Sequence, residues 1–185
     1  LATSSAASDV YKRQGYYALR ANTNSDFNTA VGTQALGSLG SNSSSSYTGN
    51  TAIGHIAGYT MTTGSGNTLL GRMAGSLINS SNNTILGIFD GNSGGLDIRS
   101  SSGNIVLADG NGNPRLYINS SGNVGINQVS PTSKLDVVGD IKATTFTGSG
   151  ANLTNVPAAT PTDSDIQVAY TCLLYTSDAA DDVAS

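Results

Sequence analysis

Short apolar triplets recur through the first half of the chain, each opened by Asn-Thr and closed by Gly: Asn28–Gly32 (NTAVG), Asn50–Gly54 (NTAIG), Asn67–Gly71 (NTLLG) and Asn83–Gly87 (NTILG). Gly15–Leu19 (GYYAL) matches the tail of the phrase in Gly32–Leu36 (GTQAL) and marks a further, shortened copy. The closing glycines stand at 15, 32, 54, 71 and 87, in steps of 17, 22, 17 and 16 residues. Repeats this short imply a solenoid, because one unit buries its apolar face only when a neighbour stacks on it. If a rung buries two aliphatic side chains at ~1.5–3 kcal/mol apiece, it gains less than the ~1–2 kcal/mol per residue lost in ordering its backbone. An isolated rung is therefore unstable, and stacking and chain-to-chain association must supply the difference.

Alternation within each triplet places Thr29 with Val31, Thr51 with Ile53, Thr68 with Leu70 and Thr84 with Leu86 on one face of a strand. Ala30, Ala52, Leu69 and Ile85 fall on the other. Both faces carry apolar residues, so one is expected to look into the solenoid and the other toward a partner chain. The terminal glycines suit corners that need positive φ or a close backbone approach. The structural repeat is accordingly assigned to Gly15, Val31, Gly32, Ile53, Gly54, Leu70, Gly71, Leu86 and Gly87. Turn-rich inserts, Gly40–Ser46 and Asn79–Asn82, are expected to project as loops.

The pattern divides the chain into head repeats over 15–91, a hairpin segment over 92–127, a short-strand segment over 128–148 and an extended linker over 149–171. In the second segment Ile105–Leu107 and Leu116–Ile118 flank the turn Asp109–Pro114, and Ser121–Asn123 turns into Val124–Ile126. Lys134–Val138 and Asp140–Phe146 read as two further strands, and Asp165–Tyr170 as the start of another.

Residues 1–14 and 172–185 stand apart for a reason written in the genetic code. A nucleotide sequence encoding LATSSAASDVYKRQ, reverse-complemented and read one base in, encodes CLLYTSDAADDVAS, which is Cys172–Ser185. Unrelated protein segments do not encode each other's opposite strand over such a length. The two ends resemble the transposase adapter of sequencing-library preparation and are read as non-native, leaving Gly15–Thr171 as a fragment of a longer protein.

Composition narrows the function classes. The single cysteine, Cys172, lies in an adapter-like end, so the insert offers neither disulfides nor thiolate metal ligands. The insert carries six Lys and Arg against eight Asp, with no Glu anywhere in the chain, a net charge of −2. So few basic residues give no footprint for nucleic acid or an anionic membrane. No stretch approaches the ~20 apolar residues of a membrane helix. All 23 glycines lie in the insert, and abundant Gly, Ser, Thr and Asn favour β-structure with tight corners.

Candidate chemistry is sparse. His55, the sole histidine, occupies a position held in other copies by Thr33, Arg72 and Ile88, and reads as a tolerant surface site. Asp109–Asn113 (DGNGN) has the opening of a calcium loop, but Pro114 and Ser120 stand where the loop requires Gly and a bidentate Glu, so a hairpin turn accounts for it better. Gly64–Gly66 and Gly148–Gly150 lack the third glycine of a dinucleotide fingerprint. No catalytic, metal or cofactor residue is assigned, and no enzymatic activity is expected. Tyr16, Tyr17, Tyr47 and Tyr59 are candidates for an aromatic receptor-facing patch, with structural packing as the alternative.

The tandem Asn-Thr-Ala-Ile-Gly phrases resemble the head repeat of YadA-like trimeric autotransporter adhesins, a left-handed parallel β-roll that assembles as a trimer. Ser121–Asn127 (SGNVGIN), Ser130–Val137 (SPTSKLDV) and Asp140–Thr154 (DIKATTFTGSGANLT) are together similar to segments of phage tail fibres. The resemblances span Gly15 to about Pro157, although Gly-Ile-Asn at 125–127 departs from the usual Gly-Ile-Gly. They imply an all-β protein: a left-handed parallel β-roll or β-solenoid head, then a β-hairpin-rich fibre shaft, assembled as a homotrimer. The implied role is attachment, by a tail fibre of a virion, to a host cell-surface receptor that is a glycan or a surface protein. The alternatives are the head of a bacterial surface adhesin, a spacer of an enzyme-bearing tailspike and, remotely, an ice-binding solenoid using the threonine row.

Overall fold

The computed structural model describes residues 12–22, 25–40, 47–145 and 147. The chain divides into two compact units between Ile141 and Lys142. The second contributes only 142–145 and 147 to the described residues, none of them in a strand.

The first unit is all-β, with no helix among the described residues. Its strands are β1 (Lys12–Gln14), β2 (Thr29–Val31), β3 (Thr51–Ile53), β4 (Thr68–Leu70), β5 (Thr84–Leu86), β6 (Asn92–Ser93), β7 (Leu96–Asp97), β8 (Ile105–Ala108), β9 (Pro114–Ile118), β10 (Val124–Ile126) and β11 (Leu135–Val137). Nine of them form one sheet in the order β1-β2-β3-β4-β5-β8-β9-β10-β11, and β6 and β7 form a separate two-stranded ribbon. From β1 to β8 every neighbouring pair is parallel, and the register sets Thr29, Thr51, Thr68, Thr84 and Ile105 in one row. Sheet direction then reverses: β9 is antiparallel to both β8 and β10, and β11 returns parallel to β10.

Parallel stacking thus runs beyond residue 91, where the repeat pattern of the sequence ends. Asn104–Ala108 (NIVLA) supplies a further rung with Ala108 in the place of the closing glycine. At the other end the adapter-like terminus contributes an edge strand, Lys12–Gln14, whose side chains are all exposed. Parallel pairing draws only on backbone groups, so an extended segment of any non-proline composition closes the open edge of β2. The two hairpins expected around 109–114 and 121–123 are present as β8–β9 and β9–β10. The strand expected over Asp140–Phe146 does not form among the described residues 140–145, and the extended linker with the strand expected over Asp165–Tyr170 lies outside the described residues, as does most of the Gly40–Ser46 loop.

The inner face of the sheet is Ala30, Ala52, Leu69, Ile85 and Val106, all fully buried. Against it packs a turn layer formed by the segment after each closing glycine, which contributes Leu19, Leu36, Leu39, Met61 and Ile78. The layer is itself hydrogen-bonded rung to rung, through Leu19 N–H to Ala35 O, Leu36 N–H to Ala57 O, Gly58 N–H to Ala74 O and Gly75 N–H to Phe89 O. Strand and layer exchange volume: a Cβ at Gly58 would lie 2.7 Å from Leu36 and 2.9 Å from Leu69, and one at Gly75 2.8 Å from Leu69. The larger strand residues fill the space these glycines leave.

A column of asparagines runs through the core at the entry to each strand. Asn28, Asn50, Asn67, Asn83 and Asn104 are all essentially inaccessible to solvent. The Asn28 Oδ1 accepts both the backbone N–H (2.9 Å) and the Nδ2 (3.0 Å) of Asn50, and Asn50 Oδ1 accepts the same pair from Asn67 at 3.0 Å each. Asn67 Oδ1 accepts the Asn83 N–H at 2.9 Å, and Asn83 Oδ1 accepts the N–H and Nδ2 of Asn104. Remaining amide hydrogens go to the loop carbonyls of Tyr47, Gly64, Ser80 and Ser101 and to the hydroxyls of Ser80 and Ser101. A buried amide with both ends satisfied costs little and fixes geometry; left unpaired it would be expensive. Only a side chain with an acceptor and two donors on one short stem performs this role, which explains why each phrase begins with Asn.

Candidate functional site

Two surfaces of the stack have features that need explanation. The first is the outward face of the sheet, where Val31, Ile53, Leu70, Leu86 and Leu107 follow one another in register. The last four are 38–44% exposed, whereas their inward neighbours have no accessible surface. Ile105 and, beyond the reversal, Ile126 continue the apolar surface at similar exposure. The threonine row lies beside this stripe on the same face, as alternation predicts.

Each assigned glycine stands at the corner between strand and turn layer. Gly15, Gly32, Gly54, Gly71 and Gly87 have φ of 122, 131, 140, 137 and 106°. A Cβ at Gly15 would lie 2.6 Å from the carbonyl carbon of Gly32, and one at Gly32 2.6 Å from that of Gly54. Corner backbone packs directly on corner backbone, so these positions need glycine for both conformation and space. The assigned site residues thus separate into a column of corners and a stripe of side chains, one beside the other.

The second surface is the outside of the turn layer. Its outward positions stack in columns, one holding the exposed Tyr16, Thr33, His55 and Arg72, and the next Tyr17 with the half-buried Gln34, Ile56 and Met73. Every residue of the second column is left-handed, at φ 58, 60, 53 and 63° respectively. Such backbone is sparsely populated for side-chain-bearing residues, Ile56 above all, and persists because the ladder above and below over-determines it. Further along the layer Arg20, Gly37 and Tyr59 share a column. Tyr17, Arg20, Gln34, Gly37, Ser38 and Tyr59 line one shallow cleft.

Of the four tyrosines singled out by sequence, the structure brings three to this surface. Tyr16 and Tyr17 have ring centroids 3.9 Å apart, and the Arg20 guanidinium sits 4.8 Å above the Tyr17 ring. A hydrogen bond with Tyr17 raises the Tyr16 phenol above its ordinary pKa, and the nearby Arg20 charge opposes that shift. Tyr59 lies with its ring 3.3 Å from where a Gly37 side chain would begin. Tyr47 does otherwise: it packs against the core, and its carbonyl receives Asn28 Nδ2.

His55 is exposed among the columns of the layer. The Asp109 carboxylate is consumed within its own turn, accepting from Asn111 N–H, Asn113 N–H and Nδ2, and Arg115. The Asn113 contacts come first and Arg115 next in holding it well below the usual carboxylate range. Among the described residues no group of three or more His, Cys, Asp or Glu is placed to hold a metal ion. No helix among them is long and apolar enough to cross a membrane.

What sequence reasoning missed is the asparagine column and its terminus. In the sequence Asn reads as the opening letter of a phrase, yet an amide recurring at the mouth of every strand is the signal of a ladder. The fifth member, Asn104, escaped because its phrase lacks the closing glycine. In comparisons with known proteins, no family model, no curated protein and no solved structure matches this chain.

Proposed function

We propose that this chain is a stretch of an attachment fibre: a left-handed parallel β-roll followed by a hairpin-rich shaft, in which three identical chains seal their apolar stripes against one another. The observation that carries the reading is the unbroken row Val31, Ile53, Leu70, Leu86 and Leu107, half-exposed in the single chain across five rungs. A contiguous apolar surface on a repetitive sheet marks an interaction site, and identical rungs present identical contacts to sister subunits at each level. The tail-fibre-like strings after Asn119 support placement in a virion and a role in adhesion to a host surface.

Size-exclusion chromatography with light scattering tests the assembly. The chain is expected at three times its own mass, and Ile53→Asp with Leu86→Asp is expected to return it to one. A monomeric wild-type chain with native β-signal in circular dichroism would refute the trimer. Attachment is read separately, by whether excess chain competes with virions for adsorption to host cells.

A further inference from the structure

We infer that the β6–β7 ribbon is a strap that latches the hairpins onto the last stacked rung, so that this junction opens as a unit while the other rungs stay folded. The strap grows out of the turn layer. The N–H groups of Leu77 and Asn79 donate to the carbonyls of Asp90 and Arg99 on the next rung, so residues 91–98 stand where Ile78 stands alone one rung earlier. Ile98 N–H donates to Gly91 O at 2.8 Å and closes the base of this excursion, and the pairs Asn92–Asp97 and Ser93–Leu96 make the ribbon. No turn layer follows β8, because the chain reverses directly into β9. The ribbon takes that place. A Cβ at Gly94 would lie 2.6 Å from Pro114 Cδ and one at Gly95 3.8 Å from Val129 Cγ2, while Leu96, 6% exposed, joins the buried cluster that holds Val106 and Tyr117.

The latch is made differently from the rungs. Each rung is tied to the next by backbone hydrogen bonds and a buried amide. Among the described residues no hydrogen bond joins 92–97 to the hairpins. The polar groups of the ribbon are satisfied at its own base, where Asp90 Oδ1 accepts from Asn92 N–H and the Ser93 hydroxyl, and Asp97 pairs with Arg99. Leu96 is its one apolar side chain, and a two-stranded ribbon has little stability of its own. The end of a stack needs a cover against water. Because packing alone holds this cover, it belongs to the openings of lowest free energy in the molecule. With the strap released, β9 and β10 keep their sheet bonds but lose the packing on their inner face, and water reaches Val106, Tyr117 and the terminal Asn104.

Hydrogen-exchange mass spectrometry on the whole chain tests the latch. Segments 92–97 and 114–126 are expected to exchange together, about tenfold or more faster than strands β3 to β5. Leu96→Ser removes the apolar anchor, and Gly94→Ala drives the tip away from Pro114 without placing a polar group in the core. Each is expected to speed exchange severalfold in both segments and to leave β3 to β5 unchanged. Exchange of 114–126 at the rate of β3 to β5 in the unaltered chain overturns the latch, as does acceleration confined to 92–97 in both variants. Protection lost evenly across β3 to β5 in both variants overturns it too, because Leu96 is then an ordinary core side chain whose loss unfolds the whole stack.

Discussion

The Tyr117 hydroxyl donates a 2.8 Å hydrogen bond to Oδ1 of Asn104, closing the asparagine column at the point where the sheet changes from parallel to antiparallel. Every earlier amide oxygen in the column is taken by the next asparagine, but after Asn104 no further rung follows in parallel. The β8–β9 hairpin folds back and sets Tyr117 opposite Val106, delivering a phenol to the last open acceptor. Tyr117→Phe keeps the ring and strands that oxygen, with an expected loss of about 1–3 kcal/mol, read as a lower urea midpoint at unchanged slope. Burial pushes the Tyr117 phenol above its ordinary value. Its contribution is therefore whole below the unfolded-state pKa of about 10 and is lost as pH rises through the folded value. The gap between wild type and the Phe variant should accordingly narrow in alkali.

Within the column, the Asn67 side chain bonds Asn50 Oδ1, Ser80 O and the Asn83 N–H, with Met61 Sδ at 3.4 Å. Asn67→Ala leaves a buried N–H and a buried carbonyl unpaired and is expected to cost about 2–4 kcal/mol. Asn67→Asp keeps the volume but turns an acceptor toward the oxygens of Asn50 and Ser80 and buries a charge. It should destabilise more than Ala at neutral pH and recover part of the difference in acid, when the carboxyl regains a proton to donate. Equal midpoints for Ala and Asp across that pH range would remove the ladder as the cause.

Two glycines with nearly the same backbone separate conformation from crowding. Gly54 and Gly139 have φ of 140 and 139°, yet a Cβ at Gly54 would collide with the Gly71 carbonyl while one at Gly139 meets nothing within 4 Å. Gly139→Ala is expected to cost about 1–3 kcal/mol, the penalty of an unfavourable backbone region alone. Gly54→Ala adds displacement of the neighbouring rung and should unfold the stack or exceed the first by at least ~1–3 kcal/mol. Thermal melts of both variants decide.

Phe27 is an exception within its own column. The residue before each ladder asparagine is left-handed, at φ 58, 71, 68, 59 and 76° for Phe27, Gly49, Gly66, Asn82 and Gly103. Phe27 alone is bulky, and its ring is largely exposed with nothing gained from burial. Left-handed backbone costs an ordinary residue ~1–2 kcal/mol, and asparagine tolerates it better. Phe27→Asn should therefore raise stability by about 0.5–1 kcal/mol, measured by urea titration; a loss would mean the ring makes a contact that offsets its strain.

Period and alternation were sufficient to read the strands β2 to β5, their shared register, the corner glycines and both hairpins, because each depends on local chemistry: apolar triplets, glycine at positive φ, and turn residues between strands. Alternation also separates the Ala30–Ile85 face from the Val31–Leu86 face. What the residues in sequence did not disclose were features created by stacking. Asn104 carries no glycine at the end of its phrase, and Tyr117 lies thirteen residues further on; only the fold places the one over the other. Tyr47 and Tyr59 look alike in sequence, yet one is drawn against the core by Asn28 and the other is left on the surface over Gly37, because burial is decided by which side of a rung the backbone presents.

The sequence by itself determined that this protein is a pile of short β-rungs with glycine corners, since hydrophobic period and backbone conformational preference act within a few residues. Tertiary structure decided which asparagine oxygen meets which donor, where the pile ends and which tyrosines face outward, since those outcomes depend on contacts between residues that only the stacking of separate rungs brings within hydrogen-bonding distance.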